Sequence, residues 1–174
     1  MLPGSTHSRK PREGRIGRAD GRSLEIGRLI GRSLRSVVDL KAMPEITLWI
    51  DCDVLSADGG TRTTAINGAC LAVFDALLHL EEQKKVRKWP MRGLVSAVSV
   101  GLRDGDVLMD LDYEEDYRVD VDMNVVCMSD GRLVEVQGSA ERSPFSDEQF
   151  TAMLAMAKIG CAKVNELQKQ TLGL

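Results

Sequence analysis

The sequence predicts an α+β domain on three observations. Two stretches in the first half carry apolar residues at helical spacing. Two Asp-Gly turns in the second half are each flanked by apolar runs, the signal of antiparallel hairpins. A long amphipathic pattern closes the chain behind a capping sequence, which adds a last helix after the hairpins. At 174 residues these elements fit one domain, residues 1–174, around one substantial core.

Residues 1–20 place Gly and Pro at short intervals with no apolar period and read as loop. Ser23 and Ile26 open a helix whose apolar positions Ile26, Leu29, Ile30, Leu34, Val37 and Val38 recur every three or four residues, with Arg28, Arg32 and Arg35 on another face. Ile46, Leu48, Ile50 and Cys52 alternate with Thr47, Trp49, Asp51 and Asp53, which predicts a strand. Gly59-Gly60 then turns the chain into a helix starting at Thr61 that is small or apolar on nearly every side and is expected to be buried. Residues 93–112 predict a hairpin turning at Asp104-Gly105, and a second turns at Asp130-Gly131. Ser146 with Gln149 three residues on predicts the start of a last helix, packed through Phe150, Met153, Leu154, Ala157, Cys161, Val164 and Leu167.

Composition narrows the function classes. No apolar run is expected to reach membrane-spanning length, and no charged-then-apolar leader opens the chain, which points to a cytoplasmic protein. Cys52, Cys70, Cys127 and Cys161 have no close pair spacing and lie in apolar stretches, so they read as reduced core residues. The net charge of −3 is unevenly spread: nine Lys/Arg against three Asp/Glu in residues 1–35, hence an acidic remainder. Such a division fits either a polyanion partner on one face or a solvated basic terminus. Arg9, Lys10, Arg12, Arg15 and Arg18 have no aromatic residues among them, a pattern suited to phosphate contact more than base stacking.

Two constellations carry possible chemistry. A helix start leaves backbone N–H groups unpaired and adds partial positive charge, so the Gly59-Gly60-Thr61-Arg62 turn suits an anion, with Arg62 adding a fork of donors. Arg22 stands at another helix start. The alternative is a plain turn in which Thr61 caps the helix and Arg62 points to water. Asp110, Asp112, Glu114, Glu115, Asp116, Asp120 and Asp122 place seven acids in thirteen residues. They read either as a Mg²⁺ site or as a solvated face. Asp116 and Asp122 would be roughly 20 Å apart on an extended chain, so they share an ion only if the chain reverses between them.

Taken together, "GRSLEIGRLIGRSLRSVVDL", "DCDVLSADGGTRTTAINGA", "SVGL", "DLDYEED", "DMNVV" and "EVQGSAE" occur in an order and spacing that resemble ribonuclease PH, the phosphate-dependent tRNA 3′-processing exonuclease, over essentially the whole chain. The resemblance implies an RNase PH-type fold with a mixed sheet and a left-handed βαβ unit packed by helices. It implies phosphate held by Arg22, Gly60, Thr61 and Arg62, catalysis and Mg²⁺ at Asp116 and Asp122 with a hairpin between them, and tRNA contacts from Arg9 and Arg12. Its partners would be tRNA precursors and five further copies in a homo-hexamer, a trimer of dimers. Gly4 replaces a family arginine, and Tyr117 and Arg118 replace small residues beside the implied metal site. Met1 aligns inside the family sequence, so the family's first strands are expected to be missing. On that account an idle, RNA-binding ring subunit is the competing expectation.

Overall fold

The computed structural model describes residues 21–174. In chain order these form α1 (Gly21–Val37), α2 (Thr61–Glu82), β1 (Val95–Arg103), β2 (Asp106–Met109), α3 (Tyr113–Arg118), β3 (Val121–Met128), β4 (Leu133–Ala140) and α4 (Asp147–Leu172). The strands make one sheet in the order β2-β1-β3-β4, and every ladder among the described residues is antiparallel. The parallel relation in this α+β fold is between β2 and β3, which flank β1 and are joined through α3. Asp104 and Gly105 both have positive φ, 51° and 89°, as the tight β1–β2 turn requires.

The two faces of the sheet explain why β1 is buried along almost its whole length. On one face Val98, Val100, Leu102, Val121, Met123, Val125 and Cys127 meet Met153, Ala157 and Cys161 of α4. On the other, Val95, Ala97 and Val126 meet Leu29, Ile30 and Leu34 of α1 and Ile66, Ala69, Cys70, Val73 and Leu77 of α2. That second face is apolar at one end only. Further along it the residues are Ser99, Gly101, Asp122 and Asn124, with Ser99 opposite Asn124 and Gly101 opposite Asp122.

β2 pairs with β1 only over Val100–Arg103, so the first half of that edge needs other partners. Side chains supply them. Asn67 of α2 both donates to the Ala97 carbonyl (2.9 Å) and accepts from the Ala97 N–H (2.7 Å). Cys70 Sγ accepts from Val95 N–H, and Gln168 Nε2 donates to the Val95 carbonyl at 2.9 Å. α4 begins with the predicted capping box, Ser146 with Gln149. Its buried face differs from expectation toward the C-terminus: Leu167 is exposed, and Asn165 and Gln168 are buried because Gln168 serves the strand edge.

Three further expectations are corrected. Residues 46–54 form no strand, since no described segment lies alongside to give them a ladder. Their alternation survives as a difference between faces. Leu48 packs on the α1–α2 core, and Ile50, Cys52 and Val54 line a groove on those helices, whereas Trp49 is 89% exposed. Cys52 is therefore at the surface, while Cys70, Cys127 and Cys161 are buried free thiols. Finally, α2 is long and apolar enough by composition to cross a membrane, but its stripe Ile66, Ala69, Cys70, Val73 and Leu77 is core against the sheet.

Gly101 marks a tight contact near the polar end. A Cβ there would lie 2.6 Å from Val119 Cγ1 and 2.9 Å from Leu111 Cδ1, the residues bracketing α3. Gly101→Ala should cost about 1–3 kcal/mol by overpacking. Urea denaturation should show a lower midpoint with an unchanged slope.

Candidate active site

A cleft of about 670 Å³ opens over the polar end of the sheet, and all six predicted site residues among those described line it: Arg22, Gly60, Thr61, Arg62, Asp116 and Asp122. Arg9 and Arg12 lie outside the described residues. The elements that deliver the six are separate in sequence. α1 brings Arg22, the start of α2 brings Gly60, Thr61 and Arg62, α3 brings Asp116 and β3 brings Asp122.

The glycine turn is built by close approach. Gly59 has φ 75°, and a Cβ on it would stand 2.2 Å from the Leu111 carbonyl oxygen. The α2 turn thus rests directly on the backbone leading into α3, a contact reinforced by Tyr113 N–H donating to Asp58 Oδ1 at 3.2 Å. Gly60, at φ 55°, is the N-cap and no side chain caps the helix, so the reading of Thr61 as a cap is set aside. Thr61 Oγ1 instead accepts a long hydrogen bond, 3.5 Å, from Arg22 Nη2, tying the two arginine-bearing helix starts together. Arg62 reaches Glu25 of α1 at 3.6 Å, but its Nε is buried without a partner among the described residues. A planar guanidinium donor left unpaired in a cleft wall suits an incoming oxyanion.

The acidic wall has the complementary deficit. Asp122 Oδ1 is likewise buried and unpartnered, and Oδ2 accepts from Asn124 Nδ2 at 3.2 Å. Burial, then the charges of Asp116 and Glu141, push the Asp122 carboxyl up to about 6, against the lowering effects of Arg62 and Asn124. The chain reversal that joins Asp116 to Asp122 is not the expected hairpin. It is the six-residue helix α3, closed by the Asp112–Glu115 capping box, followed by an extended exit at Val119. Such a pair fits Mg²⁺, which takes few protein carboxylates and keeps several waters. No cluster of three or more His, Cys, Asp or Glu exists among the described residues to form an all-protein cage.

Ser99, Asn124, Tyr113, Tyr117, Glu141 and Arg142 also line the cleft. Asn124 was within reach of sequence reasoning, because it is two residues from Asp122 and on the same strand face. Glu141 and Arg142 were not. They arrive through the β4 end, where both their N–H groups donate to the Asp120 carbonyl.

Residues 1–79 match domain 1 of the 3′ exoribonuclease family and residues 93–160 match its domain 2, and the chain belongs to that RNase PH family. The fold is similar to the crystal structure of rice (Oryza sativa) Rrp46, with 20% identity over 90% of this chain and 68% of that one and a TM-score of 0.73. It is also similar to a chain of the Archaeoglobus fulgidus exosome with RNA bound to the active site, at 23% identity, 95% and 67% coverage and a TM-score of 0.70.

The Asp122 carboxyl binds its proton more tightly folded than unfolded, so native stability falls as pH rises from the ordinary value of 3.8 through about 6. Asp122→Asn keeps an acceptor for Asn124 and removes the charge. Thermal melts in a chelator at pH 7.5 should show the variant more stable, by about 1–2 kcal/mol once partial exposure is allowed for, and the gap should close near pH 4.

Proposed function

We propose that this chain is a phosphate-dependent 3′→5′ exoribonuclease that trims tRNA precursors and releases nucleoside diphosphates. One observation carries the reading. Two arginines and an uncapped helix start face two carboxylates across a single cleft, with one buried polar atom unpaired on each wall, Arg62 Nε and Asp122 Oδ1.

Inorganic phosphate is the anion for the basic wall. Arg22, Arg62 and the first N–H groups of α2 hold it and offset its charge as one of its oxygens attacks the terminal phosphodiester. Phosphorus passes to the incoming phosphate, and the shortened RNA leaves through its ribose 3′ oxygen. Asp116, exposed on the cleft wall, would relay to that oxygen the proton that the attacking phosphate gives up. Asp116 and Asp122 would hold Mg²⁺, which when bound offsets charge on the scissile phosphoryl group. Arg9 and Arg12 would guide the RNA stem toward a neighbouring subunit of a cytoplasmic homo-hexamer.

The likeness to a chain of an exosome supports a second reading, a ring subunit that binds RNA without turnover. The two unpaired atoms favour the enzyme, because an idle cleft has no reason to leave buried donors and acceptors without partners.

Incubation with a tRNA precursor, Mg²⁺ and phosphate should yield nucleoside diphosphates. Monophosphates, or no product, would reject the proposal. Arg62→Ala should lower phosphate-dependent turnover roughly 10²-fold or more while RNA binding persists. Equal loss of both would show that Arg62 serves RNA and not phosphate.

A further inference from the structure

The chain contains two tyrosines, Tyr113 and Tyr117, and both line the cleft. They sit four residues apart on α3, hence on one face of that helix. Neither is in a core: Tyr113 is 59% exposed and Tyr117 72%. Aromatic residues make up only 4% of the sequence, and two of them stand bare beside each other at this cleft. Nearby, Arg142 Nη2 donates to the Tyr117 carbonyl at 3.2 Å, which fixes a guanidinium against the end of α3 beside the rings. The neighbouring Arg118 is engaged with Glu114 at 2.8 Å.

The geometry points to a base-stacking subsite. We propose that Tyr117, with Tyr113 beside it, seats unpaired bases at the 3′ end of RNA entering the cleft, while Arg142 contacts a flanking phosphate. This rests on the exoribonuclease reading and adds which residues seat the bases of the 3′ tail, a contact open to any base because every base has a π-face. Stacking also accounts for the position of the platform. α3 ends in the same turn that carries Asp116, so a ring on its exposed face holds the last nucleotides in register with the carboxylates.

The test uses the full chain and a short RNA hairpin with a single-stranded adenine tail carrying 2-aminopurine near its 3′ end. With phosphate omitted, binding should quench the 2-aminopurine fluorescence. Tyr117→Ala should weaken binding about tenfold and lose the quench, the effect of one lost stack, and Tyr117→Phe should restore both. In the unsubstituted protein, abasic nucleotides at the 3′ end should cost a similar factor, and in Tyr117→Ala they should cost little more. Affinity of Tyr117→Ala within twofold of the parent, or an equal loss in Tyr117→Phe, would overturn the platform. If nucleoside diphosphates are still released in that event, the exoribonuclease reading stands alone. Quenching and Tyr117-dependent affinity without any diphosphate release would instead sustain the platform and remove the enzyme.

Discussion

The double hydrogen bond between the Asn67 side chain and the Ala97 backbone is the constraint on which the site depends. It occurs where β1 runs past the end of β2 and its edge would otherwise be unsatisfied. By filling that edge from α2, it fixes the helix in rotation and in register against the sheet. Asn67 is less than two turns from Arg62. The helix start is therefore carried to the end of the sheet face where apolar residues give way to Ser99, Asp122 and Asn124. Apolar packing of Ile66, Ala69 and Val73 holds α2 on the sheet, but such contact is non-directional and would tolerate sliding.

From that docking the remaining geometry follows by close approach. Gly59 lies against the Leu111 carbonyl, and Gly101 lies beneath Val119 and Leu111. Both ends of the α3 connection are thus pressed onto backbone that lacks a side chain. A six-residue helix has little intrinsic stability, so α3 is held by its capping box and these neighbours. The consequence is chemical. Asp116 and Asp122 are brought together by a helix and an extended exit, although burial first and the charge of Asp116 second raise the Asp122 carboxyl.

Much of this was legible in the sequence because it rests on local rules. Asp104-Gly105 specifies its turn through two positive φ values, Ser146 and Gln149 satisfy each other's orphan donors, and the α1 apolar stripe repeats at helical spacing. The segment 46–54 was misread because alternation reports which face is covered, whereas a strand requires a partner that no local pattern encodes. Leu167 was misassigned for a related reason. Helical periodicity cannot show that Gln168 will be drawn inward to serve a strand edge 73 residues away. At the site, residue types indicated chemistry, but Glu141 and Arg142 reach the cleft only through the register of β4 on β3.

Several departures from local rules meet at one place. The uncapped α2 start, the left-handed backbone at Gly59 and Gly60, the unpaired Arg62 Nε and Asp122 Oδ1, and the exposed tyrosines all border one cleft. The unpaired buried atoms are unfavourable for an isolated chain, by roughly 1–3 kcal/mol each. The two apolar clusters on either side of the sheet supply the stability that offsets them. Opposite signs on facing walls give the cleft a further property. An anion at Arg62 offsets the positive charge that partly steadies Asp122, so binding on one wall raises the Asp122 carboxyl on the other. The two deficits are coupled, and a ligand that fills one changes the charge the other can hold.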